Sequence, residues 1–294
     1  MLEVALGVRS KKVKELLLNS LSALGHEGEK VEKAAEAIAN SLASDSLLFM
    51  TDKEYETFAQ YAIEKEFDVK EIKANEIAKI IKKAKIGSLE GLDIALFGRM
   101  VAKAPVMSVE AASAFSHAIS THEASPELDF FTALDDLQDQ TEEKLGAGHM
   151  GTAEYGSATY YRYISLRLDK LVETLGIEED KEATKKALDT FVKALYLAVP
   201  QARQTTMSAA CPWAYAKVLV RNGQRMQCAL DRPVRAERQG GFLAPSIAYL
   251  NGELERQERL SGSLYGKIAA FELGENSDLN IDQLIEGLAS AVGV

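Results

Sequence analysis

Two histidines five residues apart, His117 and His122, followed directly by Glu123, are the first groups in this 294-residue chain that could do chemistry. A zinc-hydrolase helix needs its histidines four apart so that both rings share one face, so HEASP is not that motif. A metal-dependent hydrolase using His117, His122 and Glu123 rests on proximity along the chain alone. His149 lies in GAGHMG, which lacks the Lys-Ser/Thr that follows a phosphate-binding loop, and its GxGxxG letters lack the strand-loop-helix setting of a dinucleotide site. Asp135 and Asp136 pair carboxylates inside an exposed acidic run, where solvation explains them. Cys211 and Cys228 show no CxxC spacing and no visible base. No catalytic constellation, metal site or cofactor site is expected from these residues.

Residues suited to nucleic acid group more tightly. In LFGRM, Phe97 and Met100 offer apolar surface, Gly98 permits close backbone approach, and Arg99 suits a phosphate. YYRYISLR sets Arg162 and Arg167 among Tyr160, Tyr161 and Tyr163, a mixture on which single strands stack and pair. A half-buried strand with tyrosines at its rim accounts for the same composition equally well. From Gln201 to Gly240 there are seven Lys or Arg against two acids, whereas from Glu123 to Glu143 there are eight acids and no Lys or Arg. Within a chain of net charge -10, such segregation suits copies that stack head to tail, acidic element on basic surface.

The elements that must position these groups read as α+β. Val13, Leu17, Leu21 and Leu24 recur at helical spacing, with Gly25 as a C-terminal cap, and EKVEKAAEAIANSLA repeats the pattern. SLLFM suits a short strand, and Thr51 with Glu54 forms a capping box opening the next helix. A Lys-rich helical stretch then runs to Gly87. LDIALFGRMV is read as extended chain, with helix as the alternative, and residues 158–168 as a strand. The glycines of GAGHMGTAEYG predict a loop rather than a packed element. A helix is expected from about Lys181 to Ala198, a hairpin turn at Asn222-Gly223, and a helix from Pro245. No apolar run is long enough to span a membrane, and the N-terminus carries no export signal, so a cytoplasmic protein is expected.

Five blocks resemble, in order and spacing, the CasC family, the repeated backbone subunit of the type I-E CRISPR complex called Cascade. They are GLDIALFGRMVA, AFSHAISTHEASPELDFFTALDDLQ, GTAEYGSATYYRY, VPQARQTTMSAACP and GFLAPSI. The resemblance implies an RRM-like (ferredoxin-like) palm, a helical fingers insertion and a long hairpin thumb. It places a helical fingers region with a remnant of the palm at 1–90, palm strands at 91–122, the thumb at 123–156, and the palm continuation with C-terminal helices at 157–294. It further implies a non-enzymatic subunit whose copies wind along a guide RNA (crRNA) that pairs with a target DNA strand. Its other partners would be the large, small, capping and guide-processing subunits. Phe131, Thr132 and Met100 match the residues that hold a nucleotide flipped out at each kink of the guide. Phe130 is expected to pack the thumb's own base. Arg99, Arg162 and Arg203 are assigned to phosphates, and Gly148, His149 and Met150 to a loop that the guide approaches closely. The family's N-terminal palm strand and basic helix have no counterpart before Val8-Arg9-Ser10, so the chain reads as N-terminally truncated. That motivates an alternative, a degenerate assembly subunit without RNA binding.

Overall fold

A computed structural model describes residues 6–42, 47–73, 89–133, 149–198, 204–208, 211–274 and 277–294, with positions 76, 80, 200 and 202. Gly148, Arg203 and most of the Lys-rich stretch before Gly87 lie outside the described residues. The chain divides into two units, one of residues 1–114, 164–220 and 268–294, the other of residues 115–163 and 221–267. Both contain helices and antiparallel strand pairs, a mixed α/β architecture. Among the described residues every sheet is two-stranded.

In the first unit, β1 (Val8–Ser10) pairs antiparallel with β2 (Leu48–Met50), Val8 opposite Met50. Between them α1 (Val13–Ala23) buries Val13, Leu17 and Leu21, and α2 (Glu29–Leu42) buries Val31, Ala34, Ala35, Ile38, Ala39 and Leu42. Both stripes follow the 3.6-residue period of the sequence. Gly25 follows α1 with φ of 84°, a conformation that costs glycine little. α3 (Asp52–Glu64) opens on the expected box: Thr51 Oγ1 accepts from Glu54 N at 3.2 Å, and Glu54 Oε2 accepts from Thr51 N at 3.0 Å. Leu17, Leu21, Ile38, Met50, Phe58 and Met107 meet in one core.

The LDIALF segment is a helix, α4 (Leu92–Phe97), as the alternative reading allowed. It lies between Gly91 and Gly98, with φ of 74° and 77°, and buries Leu92, Ile94, Ala95 and Leu96. Two glycines of positive φ bound a six-residue element that apolar spacing alone does not separate from a strand. β3 (Ser113–Phe115) pairs with β8 (Ile164–Leu166), followed by α5 (Leu168–Leu175) and α6 (Lys181–Leu197), the latter capped by Asp180, which accepts from Ala183 N. A short α7 (Gln204–Met207) precedes β9 (Tyr215–Arg221).

The Asn222-Gly223 turn does not close a hairpin with the residues that follow it. β9 pairs with β10 (Lys267–Gly274), more than forty residues on. Asn222 N donates to Gly266 O at 2.7 Å, while Gly274 packs on Ala214 at the far end, so the pair runs antiparallel. A long-range partner overrides the local signal. α9 (Ile281–Val292) lies on this pair, and Leu188, Val192, Leu284, Ile285 and Leu288 form a second core with Val218, Val220 and Phe271.

In the second unit β4 (Ile119–Ser120) pairs with β7 (Tyr160–Tyr161). β5 (Glu127–Ala133) pairs antiparallel with β6 (His149–Tyr155) over seven residue pairs. The sequence reads the β6 segment as a loop, but the structure makes it a strand. Its Gly151 lies opposite Phe131, where a Cβ would stand 2.7 Å from the ring's Cζ, so the glycine accommodates the ring. α8 (Leu243–Ser261) completes the unit and carries Pro245 in its first turn.

Candidate nucleic-acid interface

The FGRM corner belongs to the first unit. Gly98 turns with φ of 77° and leaves no room for a side chain, since a Cβ there would stand 2.9 Å from Val109 O and 3.0 Å from Ala111 N. Its close approach is to the chain itself. Arg99 and Val109 exchange backbone hydrogen bonds of 2.9 and 2.8 Å, and Val101 N donates to Ser108 Oγ at 3.1 Å. Between these fixed neighbours Met100 stands 86% exposed, with Phe97 54% exposed on the preceding helical turn.

Arg99 does not reach solvent, which corrects its assignment to a phosphate. Its side chain is 4% exposed and forks onto Glu54, Nη1 to Oε2 at 2.8 Å and Nη2 to Oε1 at 2.9 Å. Nε donates to Met107 O at 3.0 Å and Nη1 to Phe49 O at 2.8 Å. A guanidinium so buried and shared cannot also neutralise a guide phosphate without breaking its own core. The residue that completes the α3 capping box therefore also fixes the GRM corner.

The β5–β6 ribbon carries the next group, in the second unit. Its register puts Glu127, Asp129, Phe131 and Ala133 on one face with Tyr155, Ala153, Gly151 and His149, and Leu128, Phe130 and Thr132 on the other with Glu154, Thr152 and Met150. Phe131 and Thr132 thus point to opposite sides. Phe131 leans over Gly151 and lies 5.8 Å from the His149 ring, leaving 43% of its surface exposed. Phe130 is 59% exposed, with Leu128 at 71% and Met150 at 57% on the same face. The expectation that Phe130 packs the base of the ribbon is reversed: Phe131 is the one seated on its own hairpin, because only its partner position is a glycine.

The YYRY segment splits by parity. Tyr161 and Tyr163 turn inward, their hydroxyls accepting from Cys228 N at 3.1 Å and Met226 N at 3.0 Å. Tyr160 and Arg162 turn outward, Tyr160 60% exposed, Arg162 exposed and 5.3 Å above the Phe115 ring. For the two inward tyrosines the half-buried-strand reading holds. They anchor a loop whose arginines the sequence counted in its basic run but did not place in the site: Arg225, Arg232, Arg235 and Arg238 are exposed there. Arg232 and Arg235 line a shallow cleft of about 550 Å³ with Pro233, Val234, Pro245 and Tyr249. Arg221, by contrast, is spent on Tyr265 O and Gln224 O and on the Tyr265 ring 4.3 Å away.

The residues proposed for hydrolysis do not assemble. His122 stacks on Phe242 at 3.7 Å, its Nε2 accepts from Thr159 N at 3.1 Å, and its Nδ1 donates to Glu123 O at 2.8 Å. Both ring nitrogens are committed to backbone, so neither is offered to a metal, and among the described residues no group of three His, Cys, Asp or Glu converges on one point. Burial pushes the Cys228 thiol up to about 11, far from a nucleophile's range. Among the described residues no helix is long and apolar enough to cross a membrane.

A family model described as CT1975-like protein matches residues 1–284. Among solved structures, a chain titled "CRISPR RNA-guided surveillance complex, pre-nicking" is similar with a TM-score of 0.75 and 23% identity, over 97% of this chain and 84% of that one. Another, titled "CRISPR RNA-guided surveillance complex", has a TM-score of 0.57 and 27% identity, over 68% of this chain and 78% of that one. No curated protein matches.

Proposed function

From the premise that this chain belongs to the CT1975-like Cas family, we propose that it is a guide-RNA-binding backbone subunit of a CRISPR surveillance complex. Its copies line up head to tail along the guide and hold it for pairing with target DNA. The type I-E Cascade assignment comes from the sequence blocks, and the large, small, capping and guide-processing subunits are its further partners. On this reading the strand pairs of the first unit contribute to an RRM-like palm, α1 to α3 belong to the fingers region, and the β5–β6 ribbon is the thumb.

The observation that carries the reading is Met100, an apolar side chain 86% exposed between Arg99, held by backbone bonds to Val109, and Val101, whose N donates to Ser108 Oγ. An exposed thioether on a rigid corner has little purpose in a monomer and suits a base that has left its stack. Phe131 from the ribbon of a neighbouring copy, with His149 on the same face, would complete the grip on that nucleotide, Thr132 and Met150 would meet the guide on the ribbon's other face, and Arg162 would hold a phosphate. The protein then reads backbone and shape, and pairing reads sequence. No residue is assigned to bond cleavage. Co-expression with a CRISPR array and the sibling subunits, followed by sizing and footprinting of the co-purified nucleic acid, tests this. A discrete RNA with periodic protection is expected, and both Met100→Ala and Phe131→Ala should expose the kinked positions while the RNA is retained. An assembly without RNA would point instead to the degenerate structural subunit.

A further inference from the structure

We propose that Glu54 is a positioning residue for Met100, acting through the buried Arg99; this rests on the reading of Met100 as a nucleotide contact. Glu54 lies in the first turn of α3, within the expected fingers region and 45 residues from Arg99, and nothing in its own surroundings suggests contact with a guide.

The geometry is a closed chain of constraints. Glu54 Oε2 accepts both Thr51 N at 3.0 Å and Arg99 Nη1 at 2.8 Å, while Oε1 accepts Arg99 Nη2 at 2.9 Å. The carboxylate is therefore fixed by the helix start on one side and fixes the guanidinium on the other. Arg99 Nε and Nη1 tie the same guanidinium to Met107 O and Phe49 O. Met107 belongs to the segment whose Ser108 and Val109 hold the backbone on either side of Met100. A bidentate fork has one good orientation, unlike a point charge. Shortening the carboxylate arm draws Arg99 toward α3 and shifts the corner, without touching any exposed residue.

The test uses the assembled complex and four variants. Glu54→Asp keeps the charge and withdraws the carboxylate by one methylene; Glu54→Gln keeps the length and removes the charge. Met100→Ala removes the contact itself, and Leu284→Ala destabilises the first unit in its other core. Two readouts are taken: reactivity of the kinked nucleotides, and hydrogen exchange at the Val101 and Val109 amides. Glu54→Asp should raise kinked-nucleotide reactivity to the Met100→Ala level with the guide retained, and speed exchange at those amides about tenfold. Glu54→Gln should fall between Glu54→Asp and wild type, and if Glu54→Asp does not fold, Glu54→Gln carries both readouts. Leu284→Ala should lower the melting temperature and leave both readouts at wild type. Wild-type reactivity and exchange in a folded Glu54 variant overturns the proposal, as does a Leu284→Ala effect equal to that of Glu54→Asp. If Met100→Ala leaves the kinked nucleotides unchanged, the reading of Met100 fails, and exchange alone decides whether Glu54 sets the corner.

Discussion

Replacing Arg99 with methionine separates two roles that the GRM block could have carried. With the guanidinium 4% and the Glu54 side chain 10% exposed, neither charge can be fully rehydrated in place. Removing one partner of such a pair leaves the other buried and uncompensated, a loss of about 3–5 kcal/mol. Met107 O and Phe49 O also lose their donor. For a unit of this size each kcal/mol moves the melting temperature by about 2–4 °C, so Arg99→Met should lower it by on the order of 10 °C. The double variant Arg99→Met with Glu54→Met should recover only the part owed to the uncompensated charge, because Thr51 N, Met107 O and Phe49 O still lack their side-chain partners. Had Arg99 held a phosphate, the slope of log affinity against log salt would shrink by about 0.7–0.9 on its removal, with little change in stability. Arg162→Met, exposed and off the core, should show that second pattern. Melting and guide titration at several salt concentrations, run on both variants, decide the matter. A fall of under about 2 °C for Arg99→Met, a value within the range of ordinary surface changes, would falsify the buried-anchor reasoning. So would a slope loss equal to that of Arg162→Met.

Gly151→Val should drive the Phe131 ring off the ribbon, since even a Cβ would stand 2.7 Å from Cζ; footprinting should then show kinked nucleotides as reactive as in Phe131→Ala, and an unchanged footprint would mean that the ring's seat is immaterial. Thr51→Ala removes the side-chain half of the α3 capping box and should cost about 1 kcal/mol in denaturant unfolding. Cys211 is exposed and Cys228 buried, with the latter thiol held near 11 by burial, so iodoacetamide at neutral pH should modify one cysteine in the native chain and two after denaturation. Equal labelling of both in the native chain would refute that burial.

Much of the first unit was legible because its signals are local. The Thr51-Glu54 box, the stripes of α1 and α2, and the Gly25 turn each depend on residues within a few positions of one another. Arg99 shows where that reach ends: its chemistry suggested phosphate, and only a partner 45 residues away turned it into a core residue. The Asn222-Gly223 turn failed for the same reason, because β9 found β10 rather than its own continuation. In β6 the glycines hid a strand, since a glycine that admits a ring from the facing strand looks, in one dimension, like a loop residue. Of the candidate interface, the exposure of Met100 was foreseeable from the resemblance, but the inward turn of Tyr161 and Tyr163 depends on Cys228 and Met226, more than sixty residues on. Gly148 and Arg203 lie outside the described residues.

Every residue of β5 is exposed, as are five of the seven in β6. Two strands without a covered apolar face are marginal on their own. On the proposed head-to-tail reading, any resistance of the ribbon to cleavage would come from the neighbour lying against it rather than from the unit that encodes it. In a row of copies each ribbon except the terminal one would be shielded by a neighbour, so a protease added briefly to intact assemblies would cut one chain per row. The ratio of clipped to whole chains would then report how long the rows have grown.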